Sequence, residues 1–160
     1  MKLMLMVWLV AMLGCGASNA EVRTAKSATY TVAPQTLFDT ALQVTQKTYK
    51  LGEIDAANGR FATESQVYSA EGGRQSPGAG GFVNMSDGSI MLSLFVEIVA
   101  IDDTHHAVVV TPKTFQVLTG SPKPRELAPD DPNLPPWVTG RVDSLAVAIH
   151  EQAKQHAVAR

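Results

Sequence analysis

The sequence predicts an α+β fold: a four- to five-stranded, mainly antiparallel sheet with two helices on one face. Three observations predict it. Residues 34–52 place apolar side chains at helical spacing. Two apolar stretches, 89–101 and 105–117, are separated only by a short polar turn, which is typical of paired antiparallel strands. Residues 137–157 again follow a helical period, so the order is β-α-β-β-β-β-α.

The first predicted strand covers residues 28–33, where β-branched side chains alternate. Pro34 then suits the first turn of a helix, because its missing N–H would be unpaired there in any case. The stripe of this helix contains Leu37, Ala41 and Val44, and it must pack on the sheet. Gly52 is the expected stop of the helix.

A β-hairpin is predicted around Asn58-Gly59, since both residues tolerate positive φ. Its expected arms are residues 53–57 and 60–68. Residues 69–81 contain five glycines and one proline, which indicates a mobile loop.

The second half of the chain supplies the longest strands and the last helix. Pro112 marks either a bulge or an edge in its strand. Residues 118–136 carry six prolines and no period, so they form either an ordered wrap or a linker. The closing helix presents one apolar face, which consists of Val138, Val142, Leu145, Ile149 and Ala153.

The N-terminus has the pattern of a secretory signal peptide. Lys2 precedes an apolar run over residues 3–13, which is shorter than the roughly 20 residues that a membrane-spanning helix needs. A positive start followed by an apolar run of this length is typical of a signal peptide.

The tetrapeptide Met12-Leu13-Gly14-Cys15 resembles the lipobox of bacterial lipoproteins. That resemblance implies a diacylglycerol on the Cys15 thiol, cleavage just before Cys15, and a membrane anchor. An alternative is ordinary cleavage after Ala20, because Ser18-Asn19-Ala20 meets the small-x-small requirement. A free thiol is a liability in an oxidising compartment, which favours the lipidated form.

These observations divide the chain into three parts. Residues 1–14 are the expected signal peptide, residues 15–27 the lipidated cysteine with a flexible tether, and residues 28–160 a single α+β domain. The order of elements also resembles that of helix-grip modules in envelope lipoproteins, although no motif carries this likeness. The resemblance implies a cell-envelope protein, in the outer membrane and facing the periplasm.

Composition limits the partners. The chain has 13 Lys and Arg against 15 Asp and Glu, for a net charge of −2, and it lacks the basic patch that nucleic-acid binding requires. We therefore expect no nucleic-acid partner. The expected partners are the membrane, through the N-terminal lipid, and a protein of the envelope.

No motif predicts a catalytic or metal site. His105 and His106 are adjacent, and adjacent residues of a strand point to opposite faces, so a turn after Asp102-Asp103 explains them. Asp130-Asp131 lies between prolines and is also read as a turn. Glu97 is expected to face solvent from an antiparallel strand. The serines lack a nucleophile motif, and the glycine-rich loop lacks the Lys-Ser/Thr of a phosphate loop.

We therefore expect no catalytic residue, no metal and no cofactor, and a domain that acts as a binding or assembly partner. Trp137 and Phe82 are the candidate anchors for a protein partner, because aromatic residues dominate interface energies. For Trp137, packing of the second helix on the sheet is the competing interpretation. The alternative functions are a ligand carrier with a cavity under the first helix, an exported enzyme of another class, or a plain periplasmic protein.

Overall fold

The computed structural model describes residues 17–78 and 80–158. Two single-turn 3-10 helices, Ala56–Asn58 and Lys154–His156, accompany the longer elements. The helices and strands, in chain order, are α1 Asn19–Ser27, α2 Pro34–Gln46, β1 Leu51–Asp55, β2 Arg60–Thr63, β3 Gln66–Tyr68, β4 Ile90–Ala100, β5 His106–Gln116, β6 Arg125–Leu127 and α3 Pro136–Ala153.

The strands form one antiparallel sheet in the order β1-β2-β4-β5-β6, and β3 pairs with β4 beside β2. This confirms the predicted α+β class. The sheet has six strands rather than four or five, because the expected arm 60–68 is divided into β2 and β3 and because β6 is an additional strand, whereas residues 28–33 form none. At the division, Thr63 Oγ1 accepts a hydrogen bond from the Leu94 N–H at 3.0 Å. A side chain thus replaces the backbone partner at this point of the ladder.

The hairpin between β1 and β2 turns where the sequence predicts it. Residues Ala56–Asn58 form a 3-10 turn, and Gly59 follows in the left-handed region with φ +63°. Asp55 accepts hydrogen bonds from the Asn58 backbone at 3.3 Å and from its side chain at 2.8 Å. The glycine is needed here because other residues rarely adopt this backbone conformation.

Strands β4 and β5 form the centre of the sheet. Their pairing is continuous over eleven residues and includes Leu94 opposite Pro112. No bulge is present at Pro112, so the edge interpretation is the right one. Strand β6 pairs only with residues Thr114 to Gln116 of β5, and beyond it β5 is an edge. Because β6 is a strand and Leu127 is buried, residues 118–136 are an ordered wrap.

Helices α2 and α3 cover one side of the sheet, called the helix face here. Every second residue of β4 points into this core, and the Phe38 ring meets the Phe61 ring edge-on at 5.6 Å. All five residues of the predicted α3 stripe are buried. The opposite side, called the open face, carries the alternate side chains of β4 and β5. Its central members are Met91, Ser93, Phe95, Glu97, Val109, Thr111, Lys113 and Phe115.

A flexible tether was predicted over residues 15–27, and helix α1 corrects this prediction for residues 19–27. Ser18 caps the helix: its hydroxyl accepts from the Glu21 N–H at 3.3 Å, and the Glu21 carboxylate accepts from the Ser18 N–H at 2.7 Å. Ala25 is buried, and Lys26 forms an ion pair with Asp143 of α3. The folded domain therefore includes residue 18, which is ten residues before the expected boundary at 28.

Residues 28–33 correct a second prediction, because they form no strand. Tyr30 makes isolated bridges to His106 and to Ala157, with backbone hydrogen bonds to His106 of 2.8 and 3.0 Å. The segment is a single pairing position between the start of β5 and the C-terminal residues. Helix α2 also ends earlier than expected, at Gln46, and Gly52 lies inside β1.

Candidate functional site

Trp137 is held within the domain by the loop that follows β3. Its indole Nε1 donates a hydrogen bond to Ala70 O at 2.8 Å, and its ring lies 5.1 Å from that of Tyr68. The Arg141 guanidinium lies 4.4 Å from the Tyr68 ring and 5.5 Å from the Trp137 ring. These contacts favour the packing interpretation of Trp137, and its role as an anchor for a partner stays a prediction.

Phe82 has the opposite environment. It lies in the loop between β3 and β4 and is 85% exposed, and Met85 in the same loop is 49% exposed. The loop backbone bends sharply, since the Gly78 N–H donates to Phe82 O at 3.0 Å and Gly81 has φ +79°. An aromatic ring at this exposure contributes little to the core, so Phe82 remains the better candidate anchor.

Cys15, the predicted site of lipidation, lies outside the described residues. Its distance along the chain from the folded domain is nevertheless short. The cap residue Ser18 belongs to α1, and only residues 16 and 17 separate it from Cys15. Cys15 and the folded domain are therefore close together in the sequence.

His105 takes part in a turn, as the sequence predicts. Asp102 accepts hydrogen bonds from the backbone N–H groups of Thr104 and His105, both at 2.8 Å, and its carboxylate lies 2.8 Å from His105 Nδ1. The Thr104 N–H and the neighbouring His105 contacts hold the pKa of Asp102 well below its usual value. The side chain of His106 is on the helix face, beside Ile98 and Ala100. The two histidines are not brought together.

Asp131 also serves a turn. It accepts from the Asn133 N–H at 2.8 Å and pairs with the Arg125 guanidinium at 2.8 Å. These hydrogen bonds, the backbone one first, lower the pKa of the Asp131 carboxyl. The part of the chain that the structure describes contains no group of three or more His, Cys, Asp or Glu side chains positioned for a metal ion.

The open face carries a shallow groove of about 350 Å³. Phe95 and Val109 line it and are 40% and 42% exposed. Glu97 is exposed beside them, which confirms that it faces solvent. Neighbouring Arg60 pairs with Asp55 at 3.0 Å. Of the residues on this face, sequence analysis identified only Glu97, because the register of β4 with β5 is needed to show which residues share the face.

A second groove, of about 570 Å³, lies between α1 and the end of α3. Arg23, His150 and Lys154 line it. The Tyr30 hydroxyl lies 2.9 Å from His150 Nδ1, and burial raises the pKa of Tyr30 to about 12. Lys154 pairs with Glu151 at 2.6 Å. Sequence analysis missed this groove, because it depends on α1 being a docked helix.

Comparison with known proteins adds no family to these observations. No protein-family model matches the chain, and no curated protein matches it. None of the helices in the described ranges 17–78 and 80–158 combines the length and the apolar character needed to cross a bilayer.

Proposed function

We propose that this chain is an exported lipoprotein of the cell envelope, anchored through a lipid on Cys15. In this proposal, the α+β domain has no catalytic role and acts as a binding or assembly partner. Its place is the periplasmic side of the outer membrane. The proposal rests on the N-terminal sequence and on the cap that Ser18 provides for α1.

The start of α1 is the observation that carries the lipid anchor. Cleavage before Cys15 leaves the Ser18–Glu21 capping box complete. Cleavage after Ala20 would remove Ser18 and with it the reciprocal hydrogen bonds of 3.3 and 2.7 Å. Loss of such a cap costs about 0.5–2 kcal/mol. The fold therefore favours the lipobox over the competing cleavage site.

A lipid on Cys15 would hold this domain close to the membrane. Four residue steps separate Cys15 from Asn19, and a fully extended chain covers at most about 3.6 Å per step, or roughly 14 Å. Because α1 packs on α3 through Ala25 and the Lys26–Asp143 ion pair, a lipid that holds α1 near the membrane also holds the rest of the domain there. A partner would therefore meet this domain at the membrane surface.

Phe82 is the proposed anchor for a protein partner. Exposed aromatic residues contribute strongly to interfaces once a partner covers them, and Phe82 is 85% exposed. Loops that project from a rigid domain commonly carry binding residues. The adjacent Met85 extends the apolar surface of the same loop.

The lipid anchor is tested by mass spectrometry of the mature N-terminus. We expect an acylated Cys15 and loss of acylation in Cys15→Ser. Ala20→Leu is the matched control: it blocks small-x-small cleavage, lies at an exposed position of α1 and should leave acylation unchanged. An unacylated chain that starts at Glu21 would contradict the proposal.

The binding role is tested by comparing Phe82→Ser with Thr119→Ser, a substitution at another exposed loop position. A deletion phenotype of the gene supplies the functional readout. We expect Phe82→Ser to lose function with an unchanged thermal melt, and Thr119→Ser to retain both. Full function in Phe82→Ser would remove this residue as the anchor.

A further inference from the structure

We propose that two copies of this chain pack through the open face of the sheet as a symmetric dimer. The proposal goes beyond the lipid anchor and does not depend on it. Three observations carry it: the apolar character of the open face, two charges on this face that find no partner within the described residues, and the area that the face offers.

Apolar side chains occupy four of the eight central positions of the open face. Antiparallel sheets that have one solvated face normally alternate apolar and polar residues. Here the open-face positions of β4 include Met91, Phe95 and Val99, and those of β5 include Val109 and Phe115. Phe95 and Val109 are 40% and 42% exposed at the centre of the sheet. A partner that covers Phe95 and Val109 would bury this apolar surface away from water.

Two opposite charges flank this apolar centre. The Glu97 carboxylate has no hydrogen bond or ion pair within the described residues, and neither does the Lys113 ammonium. Lys113 Nζ instead lies 6.0 Å from the Phe95 ring centre and 5.8 Å from that of Phe115. Glu97 is opposite Val109, four residues from Lys113, so roughly 13 Å of strand separates the two charges.

The register makes these charges complementary between two copies. Ser93 pairs with Lys113, Phe95 with Thr111, and Glu97 with Val109. The two-fold axis would lie between the two sheets, perpendicular to the strands and above Phe95 and Thr111. Rotation by 180° about this axis places Glu97 of one copy over the Ser93–Lys113 pair of the other. The same rotation forms the second pair, as in any isologous interface. The small Ser93 side chain leaves room for both charged groups.

The other charges of this face lie on the strands that flank β4 and β5. Arg60 of β2 is directly opposite Glu97, but its guanidinium pairs with Asp55 at 3.0 Å, and Glu53 lines the groove beside Phe95. Glu126 is opposite Phe115 at the far side of the sheet. These residues would form a polar rim around the apolar centre, which is the usual arrangement of a protein interface.

The available area suits a dimer. Strands β4 and β5 are 11 residues long, and the six strands together contain 37 residues. At about 3.3 Å per residue and about 4.8 Å between strands, the face covers roughly 590 Å². Two copies would therefore bury about 1,200 Å² in total, which is at the lower end of the range of standard interfaces, about 1,200–2,000 Å².

Charge reversal tests the dimer with the full chain purified in mild detergent. By analytical ultracentrifugation, we expect dimers of the wild type and a dissociation constant raised by about tenfold or more in Glu97→Lys and in Lys113→Glu, because like charges then meet. The first variant is positive at both positions and the second is negative at both, so mixing the two should restore the dimer. A monomeric wild type, variants that dimerise normally, or a mixture that does not recover would each overturn the proposal.

A crosslink gives a second measurement that does not depend on charge. In chains that also carry Cys15→Ser, Thr111→Cys places the only thiol next to the rotation axis, and Gln43→Cys places it on the exposed side of α2. We expect disulfide-linked dimers with Thr111→Cys and none with Gln43→Cys. Equal crosslinking of both would indicate association through the apolar N-terminus, and no crosslinking of either would indicate a monomer; both outcomes overturn the proposal.

Discussion

The indole ring of Trp137 lies directly against the backbone of Gly72. A Cβ atom added to Gly72 would stand 2.8 Å from Trp137 Cγ, and the glycine has φ +91°. The Arg141 guanidinium also donates a hydrogen bond to Gly72 O, at 3.2 Å. Gly72 therefore allows the loop after β3 to close onto the first turns of α3.

Gly72→Ala should lower the free energy of unfolding by more than about 1 kcal/mol, because alanine at positive φ is strained and its Cβ meets the Trp137 ring. Gly140→Ala is the matched control. It lies within α3 with nothing within 4 Å of an added Cβ, so it should raise the stability by about 0.5–1 kcal/mol. Denaturant titration measures both changes. A Gly72→Ala chain as stable as the wild type would show that the ring does not press on this backbone.

Ser18→Ala should lower the free energy of unfolding by about 0.5–2 kcal/mol, because the first N–H groups of α1 lose their acceptor. The hydrogen bonds from Ser18 also lower the pKa of Glu21, so this half of the capping box weakens once acid protonates the carboxylate. Ser18→Asn retains a capping oxygen and serves as the control. Equal melting curves for the Ala and Asn variants would contradict the role of this cap.

Helix α1 was not predicted, although a signal for it is present in the sequence. Ser18 and Glu21 have the spacing of a capping box. Residues 19–27 lack a long apolar stripe, however, and Ala25 is the residue of α1 that is buried. The helix is held by its cap and by its contact with α3. Hydrophobic periodicity alone does not reveal such an element.

The long elements were predicted well because their patterns are local. Strands β4 and β5 start and end within one residue of the predicted ranges, and the α3 stripe is buried as predicted. The environment of Tyr30 could not be predicted in this way, because its bridges join it to His106 and Ala157, which are far away in the sequence. The open face was not predicted for the same reason: Glu97 and Lys113 acquire their relation only through the register of two strands.

Thr63→Val should cost about 1–3 kcal/mol, because it leaves the buried Leu94 N–H without an acceptor. The Thr63 hydroxyl accepts that hydrogen bond at 3.0 Å, at the point where β2 gives way to β3. Thr63→Ser retains the hydroxyl and should be closer to the wild type in denaturant titration. If the serine variant loses as much stability as the valine variant, the methyl group rather than the hydrogen bond would account for the loss.

Tyr30 predicts a loss of stability in alkaline solution. Its side chain is 1% exposed, and burial raises its pKa to about 12, whereas the unfolded chain has a tyrosine pKa of about 10. A raised pKa in the folded state means that this contribution to stability is complete below pH ~10 and is lost as the pH rises through about 12. Tyr30→Phe cannot ionise at this position. The difference in unfolding free energy between the wild type and Tyr30→Phe should therefore shift against the wild type between these pH values. Denaturant titrations of the two chains across this pH range measure the difference. Because lysine deprotonation affects both chains equally, it cancels in this difference. A constant difference across the range would show that the Tyr30 hydroxyl is not buried beside His150.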